Sequence, residues 1–216
     1  MCDSAEKVEK VENNENKQNE NVNVAAPAPV PTPVIEVIGN IDINNVVGII
    51  SAIDQTIKNT PNISKIQINY SSPGGDFMSG ITLYNYFRSL PVQVRMVNTS
   101  IIASMGVIVY LAADERYAVK NSSFLVHAVG QNFNPGLTFA YSNFLFDNIE
   151  TIEYSTKVYI DIFKERTKEA EKQFDISKYM EGAGSLIRLY PESAVEYGIA
   201  HKVIAPEEIR KLDNKV

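Results

Sequence analysis

From Val34 onward the apolar positions switch repeatedly between a period of two residues and a period of about 3.6, which predicts strands and helices in turn. Val34-Ile35-Glu36-Val37-Ile38 predicts a strand. Val46, Ile49, Ile50, Ile53 and Ile57 then share one helical face, with Asn44 or Asn45 placed to cap it. Lys65 to Asn69 predicts a second strand that ends at a glycine turn. Ile81, Tyr84 and Phe87 mark a second helix, which Pro91 stops. Val92 to Val97 predicts a third strand, delivering the chain to Ser104. Val107 to Ala112 reads as a buried helix with Ser104 at its N-terminal end, and Arg116 to Val119 and Phe124 to His127 as further strands. A long helix is predicted from about Leu137 to Ala170, with Tyr141, Phe144, Leu145, Ile149, Ile152, Tyr159 and Phe163 at helical spacing. Such alternation implies a layered α/β domain with crossover connections.

Residues 1–33 follow neither period. A Glu/Lys/Asn-rich stretch contains too little apolar surface to offset its ordering entropy. Ala25-Ala26-Pro27-Ala28-Pro29-Val30-Pro31-Thr32-Pro33 favours extended polyproline II. The reading is a disordered acidic and Pro-rich tail over 1–33, with a docking motif as its functional alternative, and one folded domain over 34–216. Half of the net charge of −6 lies in the first twenty residues, and no basic cluster suggests nucleic-acid binding. One cysteine, Cys2, leaves no intrachain disulfide framework and no Cys-rich zinc site, so no metal or other cofactor is expected. No apolar run is long enough to span a bilayer and no secretory h-region is present, which reads as a cytoplasmic chain. Met1-Cys2 followed by a polar tether leaves a lipid-anchored form open.

The chemistry concentrates in three places. Ala103-Ser104-Met105-Gly106 offers a nucleophile, Ser72-Pro73-Gly74-Gly75-Asp76 lies upstream, and His127 follows. A serine hydroxyl is a weak nucleophile near neutral pH and needs a base to take its proton. Only His127 and His201 supply imidazole, and the place of His127 after the serine favours it. A tetrahedral oxyanion needs preorganised N–H donors, which a glycine turn lets the backbone bring close. Read singly, each fragment has a plainer meaning: Ser104 a small residue at a helix start, His127 a core histidine, Gly74-Gly75 an ordinary turn. The glycines lack the spacing and lysine of a phosphate cradle. The aromatic stripe of the long helix reads as packing surface, and His201 as a surface residue.

These segments resemble the Clp protease proteolytic subunit (ClpP) family, serine peptidases of the crotonase-like fold. The likeness runs from about Val34 to Ile204. Its anchors are Ile68-Asn69 leading into Ser72-Pro73-Gly74-Gly75, then Ala103-Ser104-Met105-Gly106, then Asn121-Ser122-Ser123 before His127. Ser193-Ala194-Val195-Glu196-Tyr197-Gly198-Ile199-Ala200-His201-Lys202-Val203 resembles the family's closing helix, turn and strand.

The resemblance implies a layered fold of βα units with a long protruding handle helix. It makes Ser104 the nucleophile, His127 the general base, and the N–H groups of Gly75 and Met105 the oxyanion hole. The family completes its triad with an Asp, but counting back from Tyr197-Gly198 without gaps reaches Gly182. Glu181 is the nearest acid, and Asp175 is the choice if the loop is shifted. One extra residue stands between Asn69 and Ser72, and Ala128-Val129 replaces the family's Gln-Pro after His127.

The implied function is peptide hydrolysis through a Ser104 acyl-enzyme inside a homo-oligomeric ring, a heptamer or a double ring stacked by handle helices. Peptides or unfolded proteins are the implied substrates and an AAA+ unfoldase the implied partner, though the tail does not resemble the family's axial loops. The missing Asp leaves open a weak Ser-His dyad or a catalytically silent scaffold subunit. An acyl-CoA enzyme of the same fold needs no serine nucleophile, and a signal-peptide peptidase relative needs a lysine beside Ser104.

Overall fold

A computed structural model describes residues 30–130, 142–180 and 185–213. The 1–33 tail lies almost wholly outside the described residues, as do Glu181 and Gly182. Strands β1 (Val34–Ile38), β2 (Lys65–Ser72), β3 (Gln93–Ala103) and β4 (Glu115–Val119) run parallel in that order, and β7 (Lys202–Ile204) closes the row beside β4. The end of β3 also pairs with β5 (Ser123–His127), through Ile101–Ala103. Strand β6 (Leu186–Leu189) lies antiparallel to β5, setting Leu186 opposite His127.

Helices α1 (Ile43–Asn59), α2 (Phe77–Ser89) and α3 (Met105–Leu111) follow β1, β2 and β3, as the alternation predicts. Their apolar faces meet Ile66, Ile68 and Tyr70 of β2 in one core with Val46, Ile53, Leu83 and Phe87. Burying each such aliphatic side chain contributes roughly 1.5–3 kcal/mol. Every residue of α3 is buried, the mark of a helix inside the core rather than on it.

The other face of the sheet is mixed, with a small apolar cluster of Val97, Val119 and Ile204 beside a polar network. Arg95 Nε donates to Glu115 Oε2 at 2.7 Å, Lys65 pairs with the same carboxylate, and Arg95 reaches Asp213 at 2.8 Å. Gln67 Nε2 donates to the Ile209 carbonyl at 3.0 Å, so the 3-10 segment Pro206–Lys211 lies over this face.

Helices α1 and α4 each depart from the sequence expectation at one end. The N-cap of α1 is Asp42 rather than Asn44 or Asn45: its carboxylate accepts both asparagine N–H groups at 3.0 Å, and a charged acceptor one turn earlier is the better cap. The long helix, α4 (Ser142–Thr167), stops short of Ala170, where the chain turns back toward Gly198. A short helix, α5 (Pro191–Glu196), leads to β7.

Arg116 ties these parts together. It is 4 % exposed and donates to the carbonyls of Ala113 (3.1 Å), Arg166 (3.2 Å), Gly198 (3.1 Å) and Ile199 (2.8 Å). Arg166 of α4 adds bonds to Leu111 (2.8 Å) and Ala113 (3.0 Å). Two guanidinium groups thus cap the C-terminal end of α3, where the helix dipole favours cations. The opposite end of α3 carries Ser104.

Candidate active site

Strand β3 runs six residues beyond the predicted Val97, to Ala103, and turns into α3 at Ser104. Its edge register with β2 breaks just before this: Tyr70 faces Asn98 while Ser72 faces Ile102. Such a bulge bends a strand and re-aims its end. Ser104 has φ 53 and ψ −131, a conformation in which a side chain is strained. Its N–H donates to Leu125 O at 2.8 Å, and its carbonyl accepts from Val107 N–H at 3.0 Å and from Tyr159 Oη–H at 3.2 Å. The backbone is held from three sides. The hydroxyl itself bonds no described residue, so its oxygen is open to a reactant.

The glycine turn lies against this serine. Gly74 has φ +94, and a Cβ there would stand 2.7 Å from both Ser104 Cβ and the Ala103 carbonyl, and 3.2 Å from Met105 N. Gly75 has φ +150, and its missing Cβ leaves room for Ile41, whose carbonyl would be 2.1 Å away. Ile41 N–H donates to Gly74 O at 2.9 Å and Asp76 N–H to Ile41 O at 2.8 Å. Those bonds take up the groups on either side of Gly75 and leave its own N–H without an acceptor among the described residues. Met105 N–H, in the first turn of α3, likewise has none. Asp76 fixes the far side of the turn by capping α2, accepting Ser79 N–H at 2.7 Å.

His127, half-buried at the end of β5, lines the same cavity of about 1130 Å³ as Gly75, Ser104 and Met105. Its Nδ1 lies 2.8 Å from the carbonyl of Ala128. No hydrogen bond joins His127 to the Ser104 hydroxyl. Catalytic pairs are often loose in unliganded enzymes and tighten on the reactant. Phe77 and Tyr159 add apolar wall to the cavity. Four of the five site residues expected from sequence therefore face one space, and the fifth, Glu181, lies outside the described residues. Asp175, the other acid considered, does not line the cavity and lies 3.5 Å from Lys178 in an ion pair.

Sequence reading missed Tyr159 as a support for the serine, because its spacing on α4 marks only a packed face. It placed His201 at the surface, where it is found, but not its setting. Arg116 N–H donates to His201 Nδ1 at 3.3 Å, and burial, Arg116 and Arg166 together press the imidazole down to about 4. Among the described residues no group of three or more His, Cys, Asp or Glu could hold a metal ion, and no helix is long and apolar enough to cross a membrane.

A family model described as Clp protease matches residues 34–207. The ATP-dependent Clp protease proteolytic subunit 2 of Pseudomonas aeruginosa is 28% identical over 139 residues, 63% of this chain and 64% of that one. The subunit of the same description from Treponema pallidum is 36% identical over 64 residues, 29% of this chain and 32% of that one. The chain thus covers less than two thirds of either relative. Among solved structures, a ClpP1 mutant from Listeria monocytogenes superposes with a TM-score of 0.67 at 19% identity, over 82% of this chain and 94% of that one. That likeness shows the fold, a layered α/β fold of the ClpP type.

Proposed function

Because this chain belongs to the Clp protease family, we propose that it is a serine endopeptidase working through an acyl-enzyme on Ser104. The observation that carries the reading is the convergence of Ser104, His127 and two unengaged N–H groups on one cavity, with the serine held at φ 53. His127 takes the Ser104 proton as Oγ bonds to the substrate carbonyl carbon, whose oxygen becomes the oxyanion. The N–H groups of Gly75 and Met105 bind that oxygen, a contribution of about 2.7–4 kcal/mol per donor in comparable sites. The C–N bond then breaks and the amine leaves with the proton from His127. Water, deprotonated by His127, attacks the ester carbon, and Ser104 regains its proton as the acid departs.

The relatives' description as subunits of an ATP-dependent protease supports a multi-subunit, ATP-coupled assembly. The homo-oligomeric ring, heptamer or double ring, the AAA+ unfoldase, the unfolded-protein substrates and the cytoplasmic setting are part of the proposal and rest on the family resemblance. Leu145, Phe146 and Ile149, exposed on one side of α4, offer the apolar face through which two rings would stack, while Tyr154 of the same helix lines the cavity. Glu181 competes with a main-chain group for the role of orienting His127, and replacing it separates the two.

The test is labelling with a fluorophosphonate probe, read by mass spectrometry of the modified peptide. Stoichiometric labelling at Ser104, lost in Ser104→Ala along with peptide hydrolysis, is the expected result. A folded, assembled chain that neither labels nor hydrolyses would overturn it and leave a silent scaffold subunit.

A further inference from the structure

We infer that the main-chain carbonyl of Ala128 is the positioning group of the site, holding His127 as its Nδ1–H tautomer and so making Nε2 the basic nitrogen. The inference deepens the peptidase reading and rests on it. A carbonyl oxygen has no proton to give, so the 2.8 Å contact with His127 Nδ1 places the proton on the imidazole. In a neutral ring the other nitrogen is then the acceptor. That is the form required to take a proton from Ser104.

The carbonyl is not a loose partner. Ala128 N–H donates to Ser185 O at 3.4 Å, extending the β5–β6 ladder one step beyond the pairing of His127 with Leu186. Strand pairing thus aims the peptide that aims the ring. No described carboxylate accepts from His127, and Asp175, engaged with Lys178, is not on the cavity.

A carbonyl does part of the work of a carboxylate. Replacing the orienting Asp by Asn in a serine-protease triad costs roughly ten-thousand-fold, chiefly because the wrong tautomer results. A carbonyl acceptor cannot produce that error, since it bonds only the Nδ1–H form. It stabilises the imidazolium less than a full charge does, because charge-assisted hydrogen bonds are about twice as strong. The expected enzyme is slower than a complete triad and independent of any acid near residue 181.

The chain has two histidines, and the second is an internal reference. Arg116 N–H donates to His201 Nδ1, which sets the opposite tautomer there. The experiment is nitrogen-15 NMR of the full-length assembled protein, labelled only at histidine, near pH 8, with His201→Gln to assign the signals. The expected spectrum has protonated Nδ1 and bare Nε2 at His127, and the reverse at His201. An Nε2–H form at His127, or rapid averaging of both forms, would overturn the inference.

Two activity arms complete it. Replacing Val129 by its α-hydroxy acid turns the Ala128 carbonyl into a weaker ester acceptor, and kcat should fall roughly fivefold with KM unchanged. Unchanged kcat counts against the inference. Glu181→Gln should lower kcat by less than about threefold; a loss of a hundredfold with a switched His127 tautomer would assign the role to Glu181 instead. The nitrogen spectrum needs no turnover, so absence of hydrolysis would defeat the functional reading while leaving the tautomer assignment to stand on its own result.

Discussion

Replacing Ser104 by Gly should stabilise the chain relative to replacing it by Ala, although both remove the proposed nucleophile. At φ 53 and ψ −131 a residue bearing a Cβ stores roughly 1–3 kcal/mol of backbone strain. Ala keeps the Cβ and deletes only a hydroxyl that bonds no described residue, so it should fall within about 0.5 kcal/mol of the native chain. Gly releases the strain but adds freedom to the unfolded chain, a cost of roughly 0.5–1 kcal/mol. The Gly variant should therefore exceed the Ala variant by about 1.25 kcal/mol at the middle of these ranges and by at most about 2.5 kcal/mol. In a domain of this size each kcal/mol moves the melting temperature by about 2–4 °C, so the gap is measurable. Urea unfolding followed by circular dichroism, at one protein concentration because assembly adds to stability, gives the difference directly. Equal midpoints, or a Gly variant below Ala, would refute the idea that this turn stores strain.

Three further perturbations probe the same construction. Gly74→Ala drives a Cβ to 2.7 Å from Ser104 Cβ, so fluorophosphonate labelling should slow by roughly a hundredfold or more in a chain that still folds; native-rate labelling would show that the loop yields freely. Tyr159→Phe deletes the 3.2 Å bond to the Ser104 carbonyl and should lower stability by about 1 kcal/mol in urea titration, with no change meaning the bond is not formed in solution. His201, pressed to about 4 in the folded chain by burial first and then by Arg116 and Arg166, with Glu115 acting the other way, binds fewer protons there than in the unfolded chain, where histidine titrates near 6.5. Its contribution is present above about pH 6.5, falls as the pH drops, and levels off below about 4. Melting temperatures at pH 7.5, 5.5 and 4.5 should decline less steeply in His201→Gln, and parallel declines would remove His201 as the cause.

The parts legible in the sequence are those with a periodic or compositional mark. The alternation of Ile66, Ile68 and Tyr70 with Gln67 and Asn69 gives a strand with two unlike faces, and α3 shows as an unbroken apolar run after Ser104. Strand β6 stayed hidden because four residues alternating in exposure are too short to stand out from a loop. The extension of β3 was hidden by the polar Asn98-Thr99-Ser100 at its bulge, which reads as a strand end. Arg116 carries no sign of burial, since only the fold gathers the carbonyls of Ala113, Arg166, Gly198 and Ile199 around it. For a group that orients His127, acids are the only residue type with a recognisable pattern in the sequence. A main-chain carbonyl has no signature, because every residue carries one.

The two halves of the site rest on unequal supports. A seven-residue helix cannot hold itself together in isolation, so α3 owes its place to complete burial and to the two guanidinium groups at its far end. With that end fixed, the Leu125 and Tyr159 bonds and the packed Gly74 over-determine the turn, which is the condition for strain at Ser104 to persist. The histidine sits instead on β5, joined to β3 through three residues and to β6 through four. Fewer bonds must open to free it. Amides of β3 and α3 should therefore exchange at the rate set by global unfolding, and those around His127 and Ala128 faster. In the proposed reaction, where His127 must engage Ser104 although no hydrogen bond joins them here, the less firmly paired histidine is then the partner expected to move, and the β5–β6 pairing sets how readily it does so.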